Sequence, residues 1–329
     1  MRYKLAFVVM ILLVMSVTTI YGGSSGRIGT AGAQVLRVPV GSRGSAMGGA
    51  VIADVSGVEA MYWNPAGLAN TYGTEVMFTH LPYLADINVN YFGIATNIED
   101  FGVLAASAKV MLVGDMEETT QEFEDGTGRI FSPSISVISI SYAHQMTQKI
   151  SFGITSKLIY EDIFEVSATG VAFDVGFIYD LGWRGTAVGL TMMNYGPEMS
   201  YSGDGFNRIL NGRQVSPKSA SFDIPSSFNI GVSHGMVESG KNAAVLNANY
   251  SSNNFSDDLW QGGAEYKYDD KYSLRAGYNY SNQDGWIYGL SFGGGVEFEI
   301  GESRLVLEYS WTETEWFDNN QYFTFKYQF

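Results

Sequence analysis

The sequence contains no cysteine. Disulfides, thiolate metal sites, cysteine nucleophiles and a lipid anchor on Cys are thereby excluded. Its three histidines, His80, His144 and His234, stand far apart, without metal-ligand spacing. Charge is scarce: Asp, Glu, Lys and Arg make up 16% of residues, against about 25% in an ordinary soluble protein. Basic residues are the scarcer sign, 19 against 34 acidic. The net charge of −15 speaks against a nucleic-acid partner, because phosphates need a basic surface. Long apolar runs are missing too. The longest, Leu5 to Val17, has about 13 residues, and a helix needs ~20 to cross a bilayer.

That short run follows Arg2 and Lys4, the pattern of a secretory signal peptide. The small residues Gly22 to Ser25 offer a cleavage site, so residues 1–23 are expected to be removed. The whole chain is rich in Gly (39), Tyr (21) and Phe (20), and from about Thr74 onward it alternates with period two. Val171, Phe173, Val175 and Phe177 alternate with Ala172, Asp174 and Gly176. Leu305, Leu307, Tyr309 and Trp311 alternate with Arg304, Glu308 and Ser310. Such alternation marks strands with one apolar and one polar face. Turn signals divide 73–329 into about fourteen strands, each about as long as an outer-membrane barrel requires. Short connections (Asn97–Asp100, Tyr268–Lys271, Ile300–Glu302) alternate with longer ones (Gly114–Phe131, Glu161–Thr169, Tyr195–Asp223). A soluble β-sandwich would alternate as well. The signal peptide and the terminal Phe329 on an aromatic strand favour the transmembrane antiparallel β-barrel instead.

Residues 24–72 differ. They are Gly- and Ala-rich and irregular, unsuited to a wall, and are expected to form a plug or hatch ahead of the first strand. Small residues and Gly48-Gly49-Ala50, then Tyr62-Trp63-Asn64-Pro65-Ala66-Gly67-Leu68-Ala69, resemble the N-terminal hatch of the FadL-like outer-membrane proteins. Leu36-Arg37-Val38-Pro39-Val40-Gly41-Ser42-Arg43-Gly44-Ser45-Ala46-Met47-Gly48-Gly49 is similar to the PorV/PorQ family associated with type IX secretion. So are Gly114-Asp115-Met116-Glu117-Glu118-Thr119-Thr120, Ala172-Phe173-Asp174-Val175-Gly176 and Asn194-Tyr195-Gly196-Pro197-Glu198-Met199. The resemblance spans about 30–205. It implies a FadL-like barrel in the bacterial outer membrane. It also implies a protein that binds secreted cargo and hands it to a surface attachment complex. The alternative it leaves open is a FadL-like transporter of hydrophobic small molecules.

Three groups of residues are candidates for function. Asn64, Pro65, Ala66 and Gly67 form the hatch motif, read either as a gate or as a docking turn, since Asn-Pro favours a turn. Strand parity puts Lys157, Lys267, Arg275, Arg304 and Lys326 on the polar face against Asp174, Glu265, Glu297, Glu299 and Glu308. A narrow lumen should pair them, because an unpaired buried charge is costly. The longest connection, Tyr195–Asp223, offers Phe206, Ile209 and Leu210 between Arg208 and Arg213 as a partner-binding surface. Glu117, Glu118, Glu122, Glu124 and Asp125, with Glu161, Asp162 and Glu165, read as solvated acidic loops. Gly293-Gly294-Gly295 and Pro133 are places where strand pairing could break. Ser134–Ser141 has no partnered base, and Gly126-Thr127-Gly128-Arg129 lacks the rest of a phosphate loop. No enzyme activity, cofactor or metal is expected. The expected partners are outer-membrane lipid, secreted cargo and secretion-machine components.

Overall fold

The structure, a computed structural model, describes residues 29–210 and 213–329. The expected signal peptide lies outside the described residues. Fourteen long strands follow in order: β1 (Thr74–Pro82), β2 (Asn88–Ile98), β3 (Gly102–Leu112), β4 (Ser134–Thr147), β5 (Ile150–Ile163), β6 (Val166–Asp180) and β7 (Ala187–Tyr195). Then come β8 (Ser227–Ser239), β9 (Asn242–Asn253), β10 (Leu259–Tyr268), β11 (Tyr272–Ser281), β12 (Tyr288–Ile300), β13 (Ser303–Thr314) and β14 (Asn320–Gln328). Each pairs antiparallel with its chain neighbours, and β1 pairs with β14, Thr79 opposite Thr324. The sheet is therefore closed, which leaves no wall strand with an open edge.

The two faces are the reverse of a soluble β protein. Phe78, Ile140, Leu158, Leu274, Phe292 and Phe323 are exposed on the outside. Ser107, Ser139, Thr155, Asn249, Ser310 and Thr324 are buried on the inside. Ser141 and Thr155 share a hydrogen bond of 2.7 Å across β4 and β5. An apolar exterior with a polar lumen suits strands that meet lipid.

At one end the connections are tight. Asp269 and Asp270 both adopt positive φ (55° and 53°) in the turn from β10 to β11, the geometry a two-residue hairpin with right-handed twist requires. At the other end lie 113–133 and 196–226. Short turns mark the periplasmic end of such barrels.

The expected long loop Glu161–Thr169 is instead a two-residue hairpin. Ile163 pairs with Val166, and Phe164 takes φ 59°. Phe164 packs on Phe131 with ring centroids 4.6 Å apart, and the Arg129 guanidinium lies 4.6 Å over its ring. No Gly, Asn or Asp announces that turn, since tertiary packing holds a Phe where those residues are usual. Glu161 is consequently not solvated; it is buried in the wall and accepts a hydrogen bond from the Tyr201 hydroxyl. Pairing also does not break at Gly293-Gly294-Gly295, which keep register with Ser310, Tyr309 and Glu308. The register shift in that strand pair falls between Tyr288 and Ser291. Pro133 sits just before β4 and accepts a hydrogen bond from the Val113 N–H.

Residues 33–71 fold inside the closed sheet. They contain a 3-10 turn (Gln34–Arg37), the short helices α1 (Ser42–Ala46) and α2 (Ala60–Trp63), and a second 3-10 turn (Pro65–Asn70). Val40, Met47, Val55, Val58, Met61 and Leu68 pack with the wall residues Met77, Tyr91, Ala95, Val103, Ala105 and Ala143. This apolar core, with a second one in which Val35, Leu36 and Val38 pack with Leu81, Val89, Met111 and Ile159, holds the segment by burial.

Candidate functional site

Asn64 is fully buried. Its amide Nδ2 donates to the carbonyls of Ile52 (2.8 Å) and of the wall residue Phe177 (3.2 Å). Its Oδ1 accepts from the Ala66 N–H at 3.1 Å, capping the 3-10 turn that Pro65 opens. Pro65 suits that first position because it lacks the N–H that would be unused there. Gly67 has no room for a side chain, since a Cβ would lie 2.2 Å from the Val55 carbonyl oxygen. Asn64, Pro65, Ala66 and Gly67 thus act together, tying two turns of the inner segment to one patch of wall.

That patch is made of glycine. Gly153 in β5 and Gly176 in β6 face one another in register. A Cβ on Gly153 would come within 2.2 Å of Pro65, and one on Gly176 within 2.0 Å of Asn64 Oδ1. The arrangement recurs twice. Gly189 and Gly231, paired across β7 and β8, take the Ile52 turn; a Cβ on Gly189 would lie 2.3 Å from the Ile52 oxygen. Gly263 and Gly277, paired across β10 and β11, take Met47-Gly48; a Cβ on Gly277 would lie 2.2 Å from the Gly48 nitrogen. Glycine permits such close backbone approach.

The side of the segment facing β10, β11, β13 and β14 is also held by charge. Arg43 in α1 reaches Asp54 and Glu265 with one nitrogen, 2.9 Å from each. Arg275 contacts Glu265 at 2.7 Å and Glu308 at 2.8 Å. Lys326 contacts Glu308 at 2.9 Å and Glu59 at 2.6 Å, and Glu59 accepts the Gly44 N–H at 2.7 Å. The chain of ions runs from the inner segment through β10, β11, β13 and β14 and back. Burial alone would disfavour a charged Arg43, yet the carboxylates of Asp54 and Glu265 hold its pKa well above the ordinary value. Lys157 and Asp174 form a separate pair at 2.6 Å.

The remaining predicted charges lie elsewhere. Lys267, Glu297 and Arg304 line a cavity of about 320 Å³ at the short-turn end. There Arg304 and Glu297 are 3.5 Å apart and Arg304 is exposed. Glu299 is exposed. These groups lie away from the depth at which Glu265, Arg275 and Glu308 pair. Arg43, Asp54, Glu59 and Lys109 were missed. Lys109 has the inward parity of Ser107, is buried, lies 4.7 Å over the Tyr62 ring and donates to the Val38 carbonyl. The signal that could have found the others is charge placed in a Gly- and Ala-rich apolar stretch, where it needs a buried partner.

The connection 196–226 divides into two parts. Its flanks fold inward: Met199 and Ile224 are buried, and the Met199 and Phe222 backbones bond each other at 2.9 Å. Between them Arg208–Leu210 pairs with Arg213–Val215 as a small hairpin outside the wall. Ile209 is 80% exposed there, Arg208 and Arg213 are exposed, and Phe206 is half-buried at the base.

In solved structures the same architecture occurs in the Pseudomonas putida toluene transporter TodX, at 15% identity and TM-score 0.59, covering 88% of this chain and 98% of that one. The monoaromatic hydrocarbon channel CymD matches at 15% identity and TM-score 0.56 with 88% and 98% coverage. A Pseudomonas aeruginosa FadL homologue matches at 13% and 0.52 with 89% and 98%. At such identities the likeness establishes the fold. No curated protein matches the sequence. The family of the type IX secretion system protein PorV matches residues 23–233, which take in the inner segment, its glycine cradles in β5 to β8 and the hairpin-bearing loop. The chain therefore belongs to the PorV family of type IX secretion and is a FadL-like β-barrel protein of the outer membrane.

Proposed function

We propose that this barrel receives secreted cargo proteins at its extracellular loops and passes them to a surface attachment complex. The role is one of binding, without chemistry. The observation that carries it is the projecting hairpin Arg208–Val215, which exposes Ile209 between two arginines on a chain of net charge −15. An apolar anchor flanked by fixed cations suits an extended acidic or mixed segment of another protein. The filled lumen supports the same reading, because a body closed by ion pairs and close backbone contacts is a platform rather than a free-diffusion pore. Affinity purification from detergent-solubilised outer membrane tests it. Cargo and secretion-machine components should co-purify with the intact protein and be lost when the hairpin is removed.

The second reading is transport of a hydrophobic small molecule, which the shared fold with hydrocarbon channels favours. Co-purified apolar ligand with no protein partner would establish that reading in place of the first.

A further inference from the structure

A cavity of about 520 Å³ lies between the top of the inner segment and the loops of the long-loop end. That volume is in the range of small-molecule sites. Its lining is unusual for this acidic chain: among the described residues it includes no Asp, Glu or Lys, and Arg37 is its one charged residue. Arg37 stacks 4.5 Å over Phe255 and donates to the Gln34 side chain at 2.9 Å. Flat aromatic groups line the walls: Trp63, Trp286, and Tyr83 with Tyr288, whose hydroxyls meet at 3.0 Å. Amides complete it, among them Gln261 and Asn279, which face one another across β10 and β11.

One wall of the cavity holds polar atoms that no protein group satisfies. Asn279 Oδ1, Gln283 Oε1, Trp286 Nε1 and Thr312 Oγ1 are buried without a hydrogen-bond partner. Two of these are acceptors, one is a donor and one is both. Buried polar groups left unmade are costly, so each calls for an explanation. The terminal torsions of Asn and Gln are soft, and a modest turn aims either amide into the cavity.

We infer that this cavity is a binding site for a neutral saccharide. Sugar hydroxyls both donate and accept, as the mixed unpaired set requires. The apolar face of a pyranose ring lies flat on an aromatic ring. A hydrocarbon would leave all four polar atoms unpaired. An extended peptide fits less well, because the closed sheet offers no strand edge to pair with and the inner segment blocks the floor. The lone Arg37 accommodates at most one anionic substituent. The inference stands apart from the secretion reading. The glycan could belong to an outer-leaflet lipid or to a secreted protein.

The test uses the purified barrel in a detergent without a sugar headgroup. Neutral mono- to trisaccharides of glucose, galactose, mannose and N-acetylglucosamine are titrated while tryptophan fluorescence and calorimetric heat are followed. At least one should bind. Asn279→Ala with Gln283→Ala, and separately Trp286→Phe, should weaken it tenfold or more, while Trp316→Phe in an exposed loop should not. Lipopolysaccharide and glycopeptide bearing the preferred sugar then separate the two sources. No binding by any saccharide would overturn the inference. So would binding that the cavity variants leave unchanged, or binding of toluene or an unglycosylated peptide in place of sugar. Heat-modifiable migration confirms that each variant keeps its barrel.

Discussion

Lys157 and Asp174 meet at 2.6 Å across β5 and β6, and both reach Asn194. Lys157 donates to the Asn194 side-chain oxygen at 2.7 Å, and Asp174 accepts the Asn194 N–H at 2.7 Å. Asn194 has φ 56° and sits where the register of β6 with β7 shifts between Phe173 and Val175. Its amide also donates to the Pro225 carbonyl at 3.2 Å. One buried ion pair thus fixes the bend from which the longest connection departs and to which it returns.

Removing one member should therefore do more than remove both. Lys157→Met leaves Asp174 buried and uncompensated, a loss of about 3–5 kcal/mol by the usual cost of breaking such a pair. Lys157→Met with Asp174→Leu should recover part of that loss. Urea unfolding in detergent checks the order. Equal stability of the single variant and the native protein would refute a structural role for the pair.

The glycine cradles predict an unplugging variant. Gly176→Val puts its Cβ where Asn64 Oδ1 now lies and should drive the inner segment off β5 and β6. The native sequence has no cysteine, so Asn64→Cys gives a clean probe. In intact cells it should resist a large impermeant thiol reagent. Combined with Gly176→Val it should label at least several-fold faster. Ready labelling of the single variant would contradict the enclosed position.

Depth should separate the arginines. Arg43→Gln strands Asp54 and leaves Glu265 to Arg275 alone, and should cost several kcal/mol, roughly the scale of a broken buried pair. Arg304→Gln removes an exposed partner of Glu297 and should cost about 1 kcal/mol or less. Protease digestion of the inner segment in detergent reads the difference: accelerated cleavage is expected in the first variant and native resistance in the second.

Replacing Asn207–Ser216 with a Gly-Ser turn should abolish display of secreted cargo at the cell surface. The inward flanks through Met199 and Ile224 are kept, so heat-modifiable migration should persist. Unchanged cargo display on an intact barrel would remove the hairpin from the mechanism.

Strand number and orientation were legible because period two is written along residues 74–329: Leu305, Leu307 and Tyr309 face lipid, and Glu308 faces the lumen. Turns were legible where they carry Gly or Asp, as at Asp269-Asp270, and hidden where packing replaces turn chemistry, as at Phe164. The charges on strands could be assigned a face but not a depth. Parity gives Glu308 and Arg304 the same side, and only the closed sheet shows that one is buried and the other exposed. Partners from the inner segment were hidden altogether. Arg43 and Glu265 are 222 residues apart, and nothing in local pattern joins them.

The contacts of the inner segment also set an order of events. Ser42 bonds Thr324 across 282 residues, and Glu59 meets Lys326 across 267. A segment near the start of the chain is completed only by its last strand. Contacts of such sequence separation form late, because the intervening loop must first be closed. A translocating chain would therefore carry Glu59 without its Lys326 partner until β14 arrives. Seam closure between β1 and β14 and seating of the inner segment then become a single step, so a chain stalled before β14 should be recognisable by its open, protease-sensitive N-terminal segment.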